Sequence, residues 1–185
     1  QWATFAWTLA LSVSYALVMF TAPLVGAHAD AHASKKKLLW LTTLGCVGFT
    51  ALLYFAVPGA LVLAIAALVL SNYFFGTGEN IIAAFLPELA RPRALGRVSG
   101  WGWSLGYVGG LVSLGVSLAY ITWAQAQGLG AADFVPVAML IAATIFMLAS
   151  LPTLLMLRER ATPQPAQSAR SAWAQVRHTL GHLAQ

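Results

Sequence analysis

"VSGWGWSLGYVGGLVSLGVSLAYITW", residues 98–123, has 26 positions without a charge, six of them glycine and three tryptophan. It follows directly on Arg91, Arg93 and Arg97. A phosphate-binding glycine loop would need a strand before it and a lysine at a set position after it, and neither is present. About 20 mostly apolar residues are what a helix needs to cross roughly 30 Å of hydrocarbon, so the stretch reads as a membrane helix entered just after Arg97. Gly102, Gly106 and Gly110 recur every fourth residue and stack on one side, with Gly109 beside them and Ser113 and Ser117 continuing the strip. Small residues at this spacing let a second helix backbone approach closely, so the strip is expected to be a helix-packing seam. Trp101 and Trp103 fit an aromatic belt at the membrane boundary.

The rest of the 185-residue chain has the same character, 59% hydrophobic and 8% charged, with a mean hydropathy of +0.77. A soluble domain carries about a quarter charged residues, so a water-soluble globule is excluded. Five segments are long and apolar enough to span: about 2–25, 38–57, 60–85, 98–123 and 134–157. The fold class is therefore all-α, a polytopic transmembrane helical bundle over residues 1–157. The net charge of +5 does not point to nucleic acid, because the basic residues sit between apolar blocks, as membrane-flanking charge does. Lys35, Lys36 and Lys37 follow the first span, Arg91, Arg93 and Arg97 the third, and Arg158 and Arg160 the fifth, whereas the Pro58-Gly59 turn and residues 124–133 carry no Lys or Arg. The positive-inside rule then puts Gln1 outside and the segment from Arg158 in the cytoplasm of a multi-pass protein of the cell (inner) membrane. Neither a signal peptide nor a natural start is visible at Gln1, and the chain reads as a fragment. Residues 158–185 begin as a Pro, Gln and Ser linker. Trp173, Val176, Leu180 and Leu183 then recur at helical spacing, which fits either a short amphipathic helix on the cytoplasmic leaflet or a disordered tail.

Few residues carry chemistry. Glu79 lies inside the third span, where a carboxylate must be paired, hydrated or protonated. Counted from the outer turn by the rise per residue of a helix, it stands roughly 29 Å down and near the inner boundary. A substrate or coupling acid and a snorkelling structural acid both fit that depth. Asn72 is a second, weaker candidate nearer the middle, and Gly76 and Gly78 on either side of Thr77 are expected to loosen the helix locally. His28 and His32 are read as residues of the first loop, solvated and without a third ligand, so no metal site is expected. Cys46, the sole cysteine, is a small core residue and permits no internal disulfide. No serine, histidine and acid trio and no pair of carboxylates lies at membrane depth, and an intramembrane enzyme would need such a set. An enzyme is therefore not expected, nor any catalytic residue or cofactor.

The run "GTGENIIAAFLPELARPRALGRVSGWGWSLGYVGG", residues 76–110, resembles the major facilitator superfamily, in the branch related to the autophagy-associated vacuolar amino-acid effluxers. The shared pattern is a span ending in FLPEL, a short basic loop, then GRVSG and GWxxGYxGG. The resemblance implies helices two to six of a twelve-helix transporter, with residues 158–185 belonging to the central cytoplasmic loop. It implies a secondary active transporter of a small solute, an amino acid or similar polar metabolite, working by alternating access. Its partners would be the lipid bilayer, the solute, a coupling proton or sodium ion and the remainder of the same polypeptide. Superfamily members carry a Gly, three residues, an Asp and then a basic cluster that together act as a conformational latch. Gly26 and Asp30 match, and Lys35, Lys36 and Lys37 supply the basic group. The implied latch is Gly26, Asp30, Lys35, Lys36 and Arg97, with Asp30 paired to Lys36 or Arg97. Ala33 and Ser34 depart from the pattern, standing where a glycine and a first basic residue are expected. Gly106-Tyr107-Val108-Gly109-Gly110 lacks the proline of the drug and proton antiporters, so antiport is not carried over. The rival reading is a non-transporting five-span assembly subunit that uses the glycine strip as its interface.

Overall fold

The computed structural model describes residues 2–56 and 59–159. They form five long helices: α1 (Trp2–His32), α2 (Lys35–Leu52), α3 (Leu61–Leu89), α4 (Leu95–Ala126) and α5 (Ala131–Met156). Single 3-10 turns lie at Leu53–Phe55 and Pro92–Ala94, and no strand occurs among the described residues. All five helices are long and apolar enough to cross a membrane. The all-α transmembrane bundle read from hydropathy is thus the architecture found. From residue 160 on, the expected linker and amphipathic helix lie outside the described residues.

The helix ends differ from the apolar spans, for local reasons. The first apolar run fades at Val25, but the alanine-rich segment after it contains no proline, and α1 continues to His32. His28, Asp30 and His32 are therefore helical, not loop residues. The two imidazole rings lie 4.4 Å apart, and among the described residues no group of three potential metal ligands forms. Arg97 likewise sits inside the first turn of α4 instead of ending a loop. The turn between α1 and α2 is short, made of Ala33 and Ser34 alone. It closes with Ser34 N donating to Ala29 O (3.1 Å), which forces Ala33 to a φ of +45°. At the far end of α4, Gly128 takes the left-handed conformation (φ +79°), with Gly128 N donating to Gln125 O and Leu129 N to Ala124 O. Glycine ends helices in this way without the steric penalty of a Cβ. Asp133 then opens α5, its Oδ2 accepting from Gly130 N at 3.1 Å, an acid at the helix end where the dipole favours it.

In space the helices neighbour one another in the order α1, α3, α2, α5, α4, so α3 packs between α1 and α2, and α4 leans mainly on α5. The close approaches are made by glycines other than those of the strip. A Cβ at Gly45 would lie 2.7 Å from the Phe74 ring, one at Gly76 3.2 Å from Val18, and one at Gly78 3.3 Å from the Thr42 hydroxyl. Gly76 and Gly78 thus serve as contact points of an unbroken α3, where loosening was expected. By contrast, a Cβ at Gly102, Gly106, Gly109 or Gly110 meets nothing within 4 Å, and Ala124 is the one buried residue of α4. No helix among the described residues lies against these four glycines, whereas Ser113 and Ser117 farther along the strip are half-buried. The buried large side chains gather in one cluster, Leu39, Ile81, Phe85 and Leu154, flanked by Val25, Leu38, Trp40 and Leu157, toward the lysine-bearing end.

Candidate functional site

Above that core the chain faces a capping problem. The first backbone N–H groups of a helix have no partner within it. Ser34, at the N-cap of α2, makes no side-chain cap bond. Glu159, just past the end of α5, takes that place. Its Oε1 accepts from Lys35 N at 2.8 Å. Its Oε2 accepts from Lys36 N at 3.2 Å. The carboxylate thereby puts negative charge where the helix dipole favours it. Lys36 answers at the other helix's end, its Nζ donating to Leu155 O at 3.5 Å, among the carbonyls that the end of α5 leaves free.

The Lys35 side chain folds inward and is only 10% exposed. An ammonium so placed needs partners. It donates to Glu88 Oε1 at 2.9 Å and to Ala84 O at 3.4 Å, and lies 3.4 Å from Asp30 Oδ1. Asp30 is 54% exposed, Glu88 15%. One cluster thereby ties α1 (Asp30), α2 (Lys35 and Lys36), α3 (Ala84 and Glu88) and the end of α5 (Leu155 and Glu159). Beside it a cavity of about 130 Å³ opens between α1 and α3, lined among others by Gly26, Asp30, Lys35, Thr77 and Asn80.

The family model described as "Vacuole effluxer Atg22 like" matches residues 3–96, just over half of the chain. The chain belongs to this family. It is also 27% identical over 117 residues to the "Uncharacterized MFS-type transporter YxiO" of Bacillus subtilis (strain 168), covering 63% of this chain and 27% of that protein. The chain therefore spans about a quarter of that relative's length. Both matches are to transport proteins and neither is to an enzyme. No solved structure matches.

The Atg22-like match covers Asp30, Lys35, Lys36 and Glu88, four of the five charged residues of the cluster, while Glu159 and the α4 glycines lie beyond it. Of the expected latch residues, the structure unites Asp30 with Lys35 and sets Gly26 on the adjoining cavity. It does not join Asp30 to Lys36, which reaches α5 instead, or to Arg97, which is exposed and makes no ion pair among the described residues. Glu88 and Glu159 were missed. The signal for Glu88 was its place in FLPEL at the end of a span. Glu159, between Arg158 and Arg160, reads in one dimension as part of a basic flank.

Glu79 is exposed and forms no hydrogen bond or ion pair among the described residues. It lines a second cavity, of about 90 Å³, between α2, α3 and α5, together with Thr42, Thr43, Cys46, Ser150 and Thr153. Asn72 does not reach that cavity. It turns to α1, where its Nδ2 donates to Ser14 Oγ at 3.0 Å, and Ser14 is fully buried. Next to it on α3, the Ser71 hydroxyl shares a 2.6 Å hydrogen bond with that of Thr50 on α2, and Cys46 Sγ lies 3.9 Å from Ser71. Such polar pairs hold helices together where apolar packing cannot distinguish protein from lipid.

Proposed function

We propose that this chain forms part of a secondary active transporter that moves a small polar solute by alternating access, with the Lys35 cluster as its cytoplasmic latch. The observation that carries this is the cluster itself: a shielded ammonium shared between carboxylates of two other helices, one of them half-exposed and free to exchange partners. Alternating access requires helical bundles that rock as units about a central site and contacts that hold one state until they break. Tying α1, α2, α3 and the end of α5 at one end suits such a contact. The transport-protein matches support the general class. An amino acid or similar metabolite as solute rests on the resemblance of residues 76–110.

In this reading the lysine-bearing end faces the cytoplasm and Gln1 the outside of a cell membrane, as the alternation of basic loops requires. Glu79 is the coupling or gating acid, and Thr42, Thr43, Ser150 and Thr153 line the same cavity. Asn72 serves packing through Ser14 more than it serves solute. The uncovered glycine strip of α4 is the seam for a helix outside the described bundle.

The test is uptake of a labelled amino-acid mixture into proteoliposomes holding the full-length protein, wild type against Glu79→Gln. The substitution is expected to change the pH dependence of uptake. An unchanged profile and rate would reduce Glu79 to a structural acid, and no uptake by a folded wild type would favour the assembly-subunit reading.

A further inference from the structure

Thr77 is 5% exposed, and its hydroxyl has no hydrogen-bond partner. A buried polar group left unsatisfied costs on the order of 1–3 kcal/mol, so a water or an ion is the expected partner of such an atom where a cavity adjoins it. Thr77 lines the cavity of about 130 Å³ between α1 and α3. One water needs only ~10–15 Å³ of such space. The polar side chains around it are Asp30, Lys35 and Asn80, and the remainder are Gly, Ala, Val and Ile.

We propose that Asp30, Thr77 and Asn80 form a site for a hydrated monovalent cation of the sodium class, where the cation and Lys35 compete for the Asp30 carboxylate. The donor atoms are a carboxylate, a hydroxyl and an amide oxygen, and neither sulfur nor imidazole lines the space. Such hard ligands suit an alkali cation over zinc or copper. A calcium ion would want about six to eight oxygens and usually several carboxylates, whereas this cavity offers one carboxylate and room for retained waters. Asp30, half-exposed and 3.4 Å from the Lys35 ammonium, is the carboxylate that a cation would share with that lysine. Because Lys35 also holds Glu88 at 2.9 Å, it retains a partner when a cation takes Asp30. Cation binding would then loosen the tie of α1 while leaving that of α2 to α3. This consequence for gating rests on the transporter reading; the binding itself does not.

The experiment measures ²²Na⁺ binding, and the thermal midpoint in NaCl, KCl or choline chloride at equal ionic strength, on the purified full-length protein. Wild type is expected to bind sodium saturably and to gain thermal stability in NaCl over choline chloride. Thr77→Val should weaken binding at least tenfold, and Thr77→Ser, which keeps the hydroxyl, should restore it. Gly26→Leu should also abolish binding, because its Cβ meets nothing within 4 Å and the larger side chain is free to fill the cavity. The site is overturned by a wild type with no sodium-specific binding, by unchanged affinity in Thr77→Val or Gly26→Leu, or by equal loss in Thr77→Ser. Solute uptake is scored separately. Uptake that is the same in sodium and choline, with no sodium bound, overturns the site and leaves the transporter reading standing. Sodium binding without uptake of any solute supports the site and counts against that reading.

Discussion

Replacing Lys35 by Met and Glu88 by Leu, singly and together, tests whether the cluster is a coupled unit. The Lys35 side chain is 10% exposed and that of Glu88 15%, with 2.9 Å between Nζ and Oε1, so neither charge is well solvated when its partner is lost. Breaking a buried pair from one side costs about 3–5 kcal/mol. Lys35→Met removes the ammonium that Asp30 and Glu88 share, but Asp30 is 54% exposed and recovers water, so the lower end of that range, about 3 kcal/mol, applies. Glu88→Leu leaves Lys35 with Asp30 and Ala84 O, so about 2 kcal/mol is expected. Simple addition would give about 5 kcal/mol, but the double variant has no stranded buried charge from this pair and should lose only about 3 kcal/mol. The coupling of about 2 kcal/mol corresponds to roughly a thirtyfold change in the unfolding equilibrium. Equilibrium unfolding of the purified protein in mixed detergent micelles, titrated with sodium dodecyl sulfate, reads all four species. Effects that add to within about 0.5 kcal/mol would refute the cluster as a unit, and so would a Lys35→Met variant as stable as wild type.

Ala33→Gly should stabilise by about 1 kcal/mol, because φ of +45° burdens alanine and suits glycine; a lower thermal midpoint would contradict the turn geometry. Gly45→Ala should cost about 1–3 kcal/mol by overpacking. Its Cβ would meet three Phe74 ring atoms, at 2.7, 2.8 and 2.8 Å, so adding Phe74→Leu should recover much of the loss in the same unfolding assay. Asn72→Val should cost about 1 kcal/mol by leaving the buried Ser14 hydroxyl without its donor, and Ser14→Ala in that background should add almost nothing. Gly106→Leu should change stability by no more than about 0.5 kcal/mol, because a Cβ there meets nothing within 4 Å. It should nonetheless abolish uptake if the strip is a moving seam, and full uptake would sink the seam.

The five spans are legible in one dimension because crossing hydrocarbon is a demand on each segment by itself: enough apolar residues in a row and few charges among them. The same logic explains the error at the end of α1. Apolarity stops near Val25, where the lipid-facing requirement ends, but the backbone stays helical to His32 because nothing breaks it. The family pattern was also visible, down to the position of Ala33, where a glycine was expected and where the turn does adopt a left-handed φ.

Partnership is another matter, because it depends on which residues the packing brings together. Lys35, Lys36 and Lys37 are equivalent in composition, yet successive residues point about 100° apart on a helix, so one reaches Glu88 and the next reaches α5. Glu159 caps a helix that begins 124 residues earlier. The glycine strip of α4 displayed a spacing that any packing face would share, but whether a helix lies against it is a property of the neighbour. Gly45 carries no such pattern and nonetheless lies under an aromatic ring. Hydropathy and local backbone preference belong to the chain and can be read along it, whereas ion pairs, caps and close approaches exist only once distant segments share a place in the fold.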